Sequence, residues 1–500
     1  MKARTLIAAL CLILLSLMLS AMPGAAQPPP LMDANPPLSA EKAAVPDAPH
    51  PPDSTPYTNG GLIYIGYLTL NQNNPAVAYS PASGQYLVVF ESSDHNGDII
   101  GRYVDAQTGQ VVGDRFYIAD TDAKEHSPDI AYDSYRNRFL VVWQEYTCGA
   151  TIPQYCYYTI RGRLLRDSYN NGNMMAGNRF EVASEWTSMA AGYDLRDPAV
   201  AFNAREHLFQ VVYVRGQDSS NQYQQIYGRL LNSDASEPTP LGDRGGFEIR
   251  TYTGGGVRTP DVAWSEADAF TFLAAWERWP DTDVDYIAIA YLYDWYRAGA
   301  PQVQGRWRVA PIDAGDYPLT RDCADPAVAY DPVNDAYTIV FEHSETDFVG
   351  IDGIDGTRVT SQYDENGNAI GYAFPIETTI NDNNQTHGQP DIAYSSATGE
   401  MHVVYHTEDS DQIGTPNYRV YDRTVSGGQA SPRTAVRSGS GNWLQDSAVA
   451  CADTCCLVVW REMDTVDDWD IFGQRVCSHP ATPRVNLPVV IKEVAPTTRN

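Results

Sequence analysis

Three arginines stand at short, similar distances before a proline. Arg196 and Arg258 lie two residues before Pro198 and Pro260, and Arg321 lies five before Pro326. A planar guanidinium grips a carboxylate through two parallel hydrogen bonds, so a cluster of them would clamp an acidic sugar. Pairing with neighbouring Asp197, Asp261 and Asp325 is the competing use of the same side chains. Trp279 and Trp443, in segments that also hold Trp186, Tyr193 and Tyr317, offer flat apolar faces on which a sugar ring can stack.

A second set of residues suits cations. Asp94 and Asp98, and then Asp281, Asp283 and Asp285, sit on Gly/Asn-bearing loops, as do further acids such as Asp347, Asp355, Glu408 and Asp468. Clustered carboxylates suit Ca²⁺, a hard ion that takes six to eight oxygens. None of these loops has EF-hand spacing, and solvated turn residues at strand starts have the same composition. His343, His387 and His406 come from consecutive repeats, near Glu342, and His95 and His126 form another such pair. Imidazoles brought together would bind a transition metal or supply a general base. No Gly-x-Ser-x-Gly, His-Glu-x-x-His or Gly-Lys-Ser/Thr motif occurs, so nothing specifies a nucleophilic triad, a zinc protease or a phosphate loop.

The elements that must carry these residues are repeats. Asn74-Pro75-Ala76-Val77-Ala78-Tyr79 recurs at Pro128, Pro198, Pro260, Pro326 and Pro390. A seventh copy, Asp446-Ser447-Ala448-Val449-Ala450-Cys451, has lost its proline and its aromatic. A tight polar turn (Ser83-Gly84, Arg136-Asn137, Asn334-Asp335) follows, and then a nearly continuous apolar strand such as Tyr86–Phe90 or Phe139–Trp143. A Gly/Asp-rich loop leads to a third strand and then a fourth. The alanine three residues after the proline position is present in every copy, and its small side chain lets inner strands crowd about an axis. Four antiparallel strands in each of seven units predict an all-β, seven-bladed β-propeller. The seventh copy lacks a fourth strand of its own, and residues 62–67 precede the first copy with no unit to join. That N-terminal strand is expected to complete the seventh blade.

The copies resemble the repeat of exported bacterial β-propeller proteins, with Pro-x-Val-Ala-Tyr, Tyr-Leu-Val-Val-Trp and Asp-Ile-Tyr-Gly-x-Arg-Val segments. Asp470–Val476 is the nearest to the third. The resemblance spans roughly residues 60–478 and implies an extracellular propeller without fixing a function. The Ser-x-Asp-x-Gly-x-x-Trp box of sialidases is absent from every copy.

Composition frames the rest. The chain has 500 residues, 63 acids against 34 Lys and Arg, and a net charge of -29. Such a surface repels a phosphate backbone, which argues against nucleic acid as a partner. Lys2 and Arg4, an apolar run from Leu6 and the small residues at Ala25-Ala26 read as a signal peptide over 1–26, so the mature chain is expected to be secreted or displayed at the cell surface, as a monomer with no membrane span. Residues 27–59 hold ten of the 33 prolines and read as a disordered linker. The tail 479–500, with Leu487-Pro488-Val489, resembles the short Leu-Pro-Val tail of some exported proteins that acts in sorting. Export permits disulfides. Cys148 and Cys156 flank a short loop and are expected to pair, and Cys455 or Cys456 lies opposite Cys477, with Cys456–Cys477 the expected bridge. Cys323 and Cys451 have no assigned partner. The function expected is non-catalytic binding of a glycan or protein through the face carrying the long loops. A carbohydrate hydrolase or lyase with an axial pocket, or a structural envelope component, are the alternatives.

Overall fold

The computed structural model describes residues 61–477 apart from residue 69 and loop segments 94–96, 149–154, 171–172, 189–192, 218–222, 237–245, 267–270, 281–284, 294–301, 311–320, 346–351, 364–368, 379–385, 410–416, 441, 454 and 464–467. At several strand ends only the backbone is described. The chain divides into Met1–Ala43 and Ala44–Asn500, and every described strand belongs to the second unit.

Seven small antiparallel sheets follow one another in chain order. The first blade is typical: Gln72–Ser80 is innermost, followed outward by Gln85–Ser92, Asp98–Asp105 and Val111–Ala119. Each innermost strand contacts that of the next blade, and the seventh contacts the first, so the sheets close a ring. The protein is a seven-bladed β-propeller. The sixth blade differs in one respect: its outer position is shared by two short strands, Gln429–Ala430 and Thr434–Ser440, both paired with Asn417–Ser426.

The core is divided among the gaps between blades rather than gathered at one centre. Seven apolar clusters fill the seven interblade gaps, from Leu87 against Val141 between blades 1 and 2 round to Leu457 against Val88 between blades 7 and 1. Both faces of each second strand are therefore covered, which is why these strands read as continuous apolar runs. Trp143, Trp276 and Trp460 lie fully buried at equivalent points along them.

Two local rules repeat. The proline position lies inside the innermost strand, at a β-bulge found in all seven blades. The residue before it (Asn74, Ser127, Asp197, Thr259, Asp325, Gln389, Asp446) is left-handed each time, with φ between 46° and 51°. A bulge tolerates proline because the ladder is interrupted there. The second rule pairs a third-strand glycine with a large outer side chain. A Cβ on Gly101, Gly162 or Gly228 would lie 2.5–2.7 Å from Phe116, Phe180 or Phe247.

The closing strand obeys that rule. Ile63–Gly66 pairs with Trp469–Cys477 as the outermost strand of blade 7, as expected. A Cβ on Gly473 would meet Ile65 at 2.7 Å, so Ile65 fills the place that phenylalanine takes in blades 1 to 3.

Three disulfides are present. Cys148–Cys156 joins register partners, as predicted. The expected Cys456–Cys477 bridge is not formed: Cys477 pairs with Cys455, and Cys456 pairs with Cys451. Register is the cause. Cys455 is opposite Cys477, while Cys456 is opposite Val476 on one side and Cys451 on the other. Adjacent strand residues point to opposite faces, so the two cysteines cannot exchange roles. Cys323 takes part in none of these three bridges and is buried.

Candidate functional site

The seven bulges set the geometry about the axis. Each carries a left-handed residue and, two places further on, either Asp or Ala, and the two kinds alternate round the ring. Blades 2, 4 and 6 carry Asp129, Asp261 and Asp391, whereas blades 1, 3 and 5 have Ala76, Ala199 and Ala327. Blades 3, 5 and 7 instead place Asp197, Asp325 and Asp446 at the left-handed position. Six aspartates from two positions of the repeat thus come toward the axis.

The first three are clips rather than ligands. Asp261 accepts the N–H of Val262 and that of Val328 in the next blade, both at 2.7 Å. Asp391 does the same with Ile392 at 2.8 Å and Val449 at 2.7 Å. Asp129 accepts from Val200 at 2.6 Å. Burial pushes Asp129 up to about 7 and Asp391 up to about 6, and it raises Asp261 well above the usual range, where the Asp129 charge adds to it. The odd-blade set is raised too, chiefly by burial, with Arg196, Arg258 and Arg461 opposing the shift at Asp197, Asp325 and Asp446.

Two of the predicted arginines, Arg196 and Arg258, are engaged by partners within the fold. Arg196 donates to Asp194, to Gln224 at 3.0 Å and to the Val257 carbonyl of the next blade at 3.3 Å, with Asp197 3.7 Å away. Arg258 donates to Glu277 at 2.5 Å and lies 4.6 Å over the Trp279 ring. Its partner is Glu277 rather than Asp261, whose oxygens serve the backbone. Glu277 is fully buried and pushed up to about 7, burial outweighing Arg258. The backbone of Arg321 begins the first strand of blade 5, and its side chain is outside the described residues.

Each predicted cation group has members outside the described residues. Asp94, Asp281 and Asp283 lie outside the described residues. Asp98 is fully buried at the start of a strand, one of the charges that help burial push Glu125 up to about 8. The Asp285 backbone N–H donates to Asp322 at 3.0 Å, and its own carboxyl is raised by burial and then by Asp322. Of the histidines, His343 is buried, 3.1 Å from Asp355. His406 and Glu342 do approach one another, over the bare backbone of Gly388: a Cβ there would lie 3.1 Å from His406 Nε2 and 3.3 Å from Glu342 Oε2. The His387 side chain is outside the described residues. His126 pairs with Glu91 at 2.9 Å.

The aromatic expectation has a clear outcome. Trp279 packs against the backbone of Gly256 and carries Arg258. Trp443 is 43% exposed and stacks on Tyr418, ring centres 5.0 Å apart and planes 22° apart. Around it Arg437 makes two hydrogen bonds to Glu462, which also accepts from Asn442 and Trp460. Arg461 lies 4.4 Å over Trp469, and Met463 donates its N–H to the Trp443 carbonyl. Blade 7 therefore presents two tryptophans at its long-loop end. Trp469 was not anticipated, although its place before Asp470 in the third-strand segment was visible.

No protein-family model matches the chain, and no curated protein matches it. Among solved structures it is similar to the polysaccharide lyase Uly1, with a TM-score of 0.47 and 8% identity over 85% of this chain and 94% of that one. A protein of unknown function from Dyadobacter fermentans gives 0.44 and 10% over 84% and 98%. The alpha-L-arabinanase of Penicillium chrysogenum gives 0.39 and 10% over 84% and 99%. The chemistry of this chain rests on its own residues.

Proposed function

We propose that the protein is an exported or cell-surface propeller that binds a glycan through its long-loop face and performs no chemistry on it. The observation that carries this reading is Trp443, the one tryptophan among the described residues with an exposed ring, backed by Tyr418 and bordered by fixed polar groups. An exposed aromatic face on a rigid backing, beside amide and guanidinium donors, suits a sugar ring with its hydroxyls. Arg196 and Arg258 already hold carboxylates, which favours a neutral glycan over an acidic one. Glu125 and Glu277, the glutamic acids pushed into the neutral range, are buried inside the fold, which favours binding over acid catalysis. The leader and the three disulfides support export.

The test is a glycan array read with and without Ca²⁺, followed by affinity electrophoresis in neutral and acidic polysaccharides. Retardation by a neutral polysaccharide, weakened about tenfold or more in Trp443→Ala, is expected. Binding to acidic glycans alone, or binding untouched by that substitution, overturns the assignment of the site. Release of reducing ends or unsaturated sugars from the bound polysaccharide overturns the non-catalytic reading.

A further inference from the structure

At the short-turn end of each blade, the last residues of the first strand face the first residues of the second. Blades 1 to 5 place an aromatic pair there in register: Tyr79 with Tyr86, Tyr132 with Phe139, Phe202 with Phe209, Trp264 with Phe272 and Tyr330 with Tyr337. Blade 7 replaces both aromatics with Cys451 and Cys456. Blade 6 makes a third departure beside them. Opposite the repeat alanine, where blades 1, 2, 4 and 7 have leucine and blades 3 and 5 have Gln210 and Thr338, it has His402, the one metal-ligating side chain at that position. Three breaks in the repeat thus fall at one interblade contact, and all three introduce a metal-ligating side chain.

Their geometry is convergent. The ligand atoms of His402, Cys451 and Cys456 all lie within 4.8 Å of one another. His402 is 2% exposed, and its Nδ1 is 3.0 and 3.2 Å from the two oxygens of Asp422, itself buried. That contact assigns the proton to Nδ1 and leaves a lone pair on Nε2. Nε2 has no hydrogen-bond partner. A buried ring nitrogen left unsatisfied is a cost that an apolar residue would avoid.

We propose that this is a redox-gated metal site: reduction of the Cys451–Cys456 disulfide frees two sulfurs that, with His402 Nε2, bind one thiophilic divalent cation of the zinc type. A dithiol gives the disulfide two electrons and two protons and ends as a cyclic disulfide; a phosphine gives the two electrons, water gives the two protons, and the water oxygen ends on phosphorus as the phosphine oxide. The two thiols lose their protons as the cation binds, and the cation is held by two thiolates and one neutral imidazole. Asp422 orients the imidazole from behind. Cys451 is partly exposed, which gives an entry path and leaves a fourth position for water. Reoxidation returns the electrons to an oxidant such as a small disulfide, re-forms the S–S bond and expels the cation.

The experiment uses the full chain without its leader, reduced with a phosphine under argon, and Co²⁺ as a probe. Reduced protein is expected to take up about one equivalent, with thiolate-to-cobalt absorption in the near ultraviolet and tetrahedral bands in the red that zinc abolishes. Oxidised protein takes up none. His402→Ala abolishes the bands, and Asp422→Asn weakens binding about tenfold. The double variant Cys455→Ser/Cys477→Ser keeps them, separating this pair from the neighbouring bridge. Folded reduced protein that binds no cobalt, or binding indifferent to His402→Ala, overturns the proposal. So does a reduced chain whose near-ultraviolet circular dichroism is lost and not restored by zinc.

Discussion

Asp391 Oδ2 accepts the backbone N–H of Val449 across the gap between blades 6 and 7, at 2.7 Å. Asp129 with Val200 and Asp261 with Val328 repeat the relationship between blades 2 and 3 and between blades 4 and 5. Seven is odd, so alternation yields three clipped pairs and leaves blade 1, with Ala76, outside the scheme. Blade 1 is joined to blade 7 by other means: Arg461 donates to Asn73 at 2.6 Å and Tyr86 to the Cys455 carbonyl at 2.7 Å. A buried hydrogen bond to a carboxylate is worth about 1.5–3 kcal/mol, and its loss leaves the Val449 N–H without its acceptor. Asp391→Ala is expected to lower unfolding stability by about 2–4 kcal/mol. Ala76→Ser, at the equivalent unclipped position, should change it by under about 1 kcal/mol. Denaturant midpoints of the two variants decide it: equal losses would show that the clip carries no special weight.

Stability should depend on pH in a direction opposite to that of most acidic proteins. Asp129, Asp391, Glu125 and Glu277 have folded pKa values near 7, 6, 8 and 7, all above their ordinary values of 3.8 or 4.5. An acid whose folded pKa is raised binds its proton more tightly in the folded chain. Its contribution is complete below the unfolded pKa and is lost as pH rises through the folded one. The window for these four runs from about pH 4 to about pH 8. Melting temperature should therefore be higher at pH 5 than at pH 8, and Glu125→Gln should flatten the difference. A melting temperature that rises from pH 5 to pH 8 would exclude this arrangement.

The ring, the blade count and the closing strand were legible because they depend on periodicity, and the repeat is written seven times. The axial clips were legible only in part. Asp in the even copies and Ala in the odd ones is a visible alternation, but its meaning depends on which N–H each carboxylate meets in the next blade. The bulge was hidden because one extra residue in a strand leaves the repeat phrase unchanged and shows only in the pairing across the ladder. Cys456 was assigned to Cys477 for a related reason: neighbouring cysteines look equivalent in a sequence, and one residue of register decides between them. Arg196 and Arg258 are engaged within the fold for a similar reason: Asp194 lies only two residues from Arg196, but Gln224 and Glu277 reach their arginines across strands, and register decides that.

The two predicted tryptophans should separate in their effects. Trp443 rests one face on Tyr418 and leaves much of its ring in water, so Trp443→Ala should change stability by about 1 kcal/mol or less. Trp279 packs on the Gly256 backbone and under Arg258, so Trp279→Ala should cost about 2–4 kcal/mol. Parallel thermal melts and glycan binding measure both quantities. Loss of binding with unchanged melting at Trp443, and the reverse balance at Trp279, is the expected pattern.

Thiol chemistry should be silent in the native state. Cys323 is 1% exposed, in the apolar cluster between blades 4 and 5, and the other six cysteines among the described residues are bridged. A thiol reagent is therefore expected to find no reactive group in folded leaderless protein and about one per chain after denaturation without reductant. Peptide mapping of the unreduced protein should link Cys455 to Cys477 and Cys451 to Cys456. Fast reaction of native protein, or a Cys456–Cys477 peptide, would contradict the register of blade 7.

Closure of the ring rests on a very short strand. Ile63–Gly66 contributes three register pairs to Trp469–Cys477, and its one fully buried side chain, Ile65, sits over Gly473. Tyr64 adds an edge contact to Phe472 at 5.3 Å. Because a glycine lies beneath it, cutting Ile65 back opens a cavity in the apolar cluster between blades 7 and 1. Ile65→Ala should cost about 2–5 kcal/mol, and Ile65→Asp should cost more by burying an unpaired charge. The partner strand of blade 7 would then expose unpaired N–H and C=O groups, the template for edge-to-edge association. A chain beginning at Leu68 should accordingly melt lower than the leaderless protein and form concentration-dependent oligomers in sedimentation velocity. Monomeric behaviour with an unchanged melt would show that blade 7 holds its edge without the N-terminal strand.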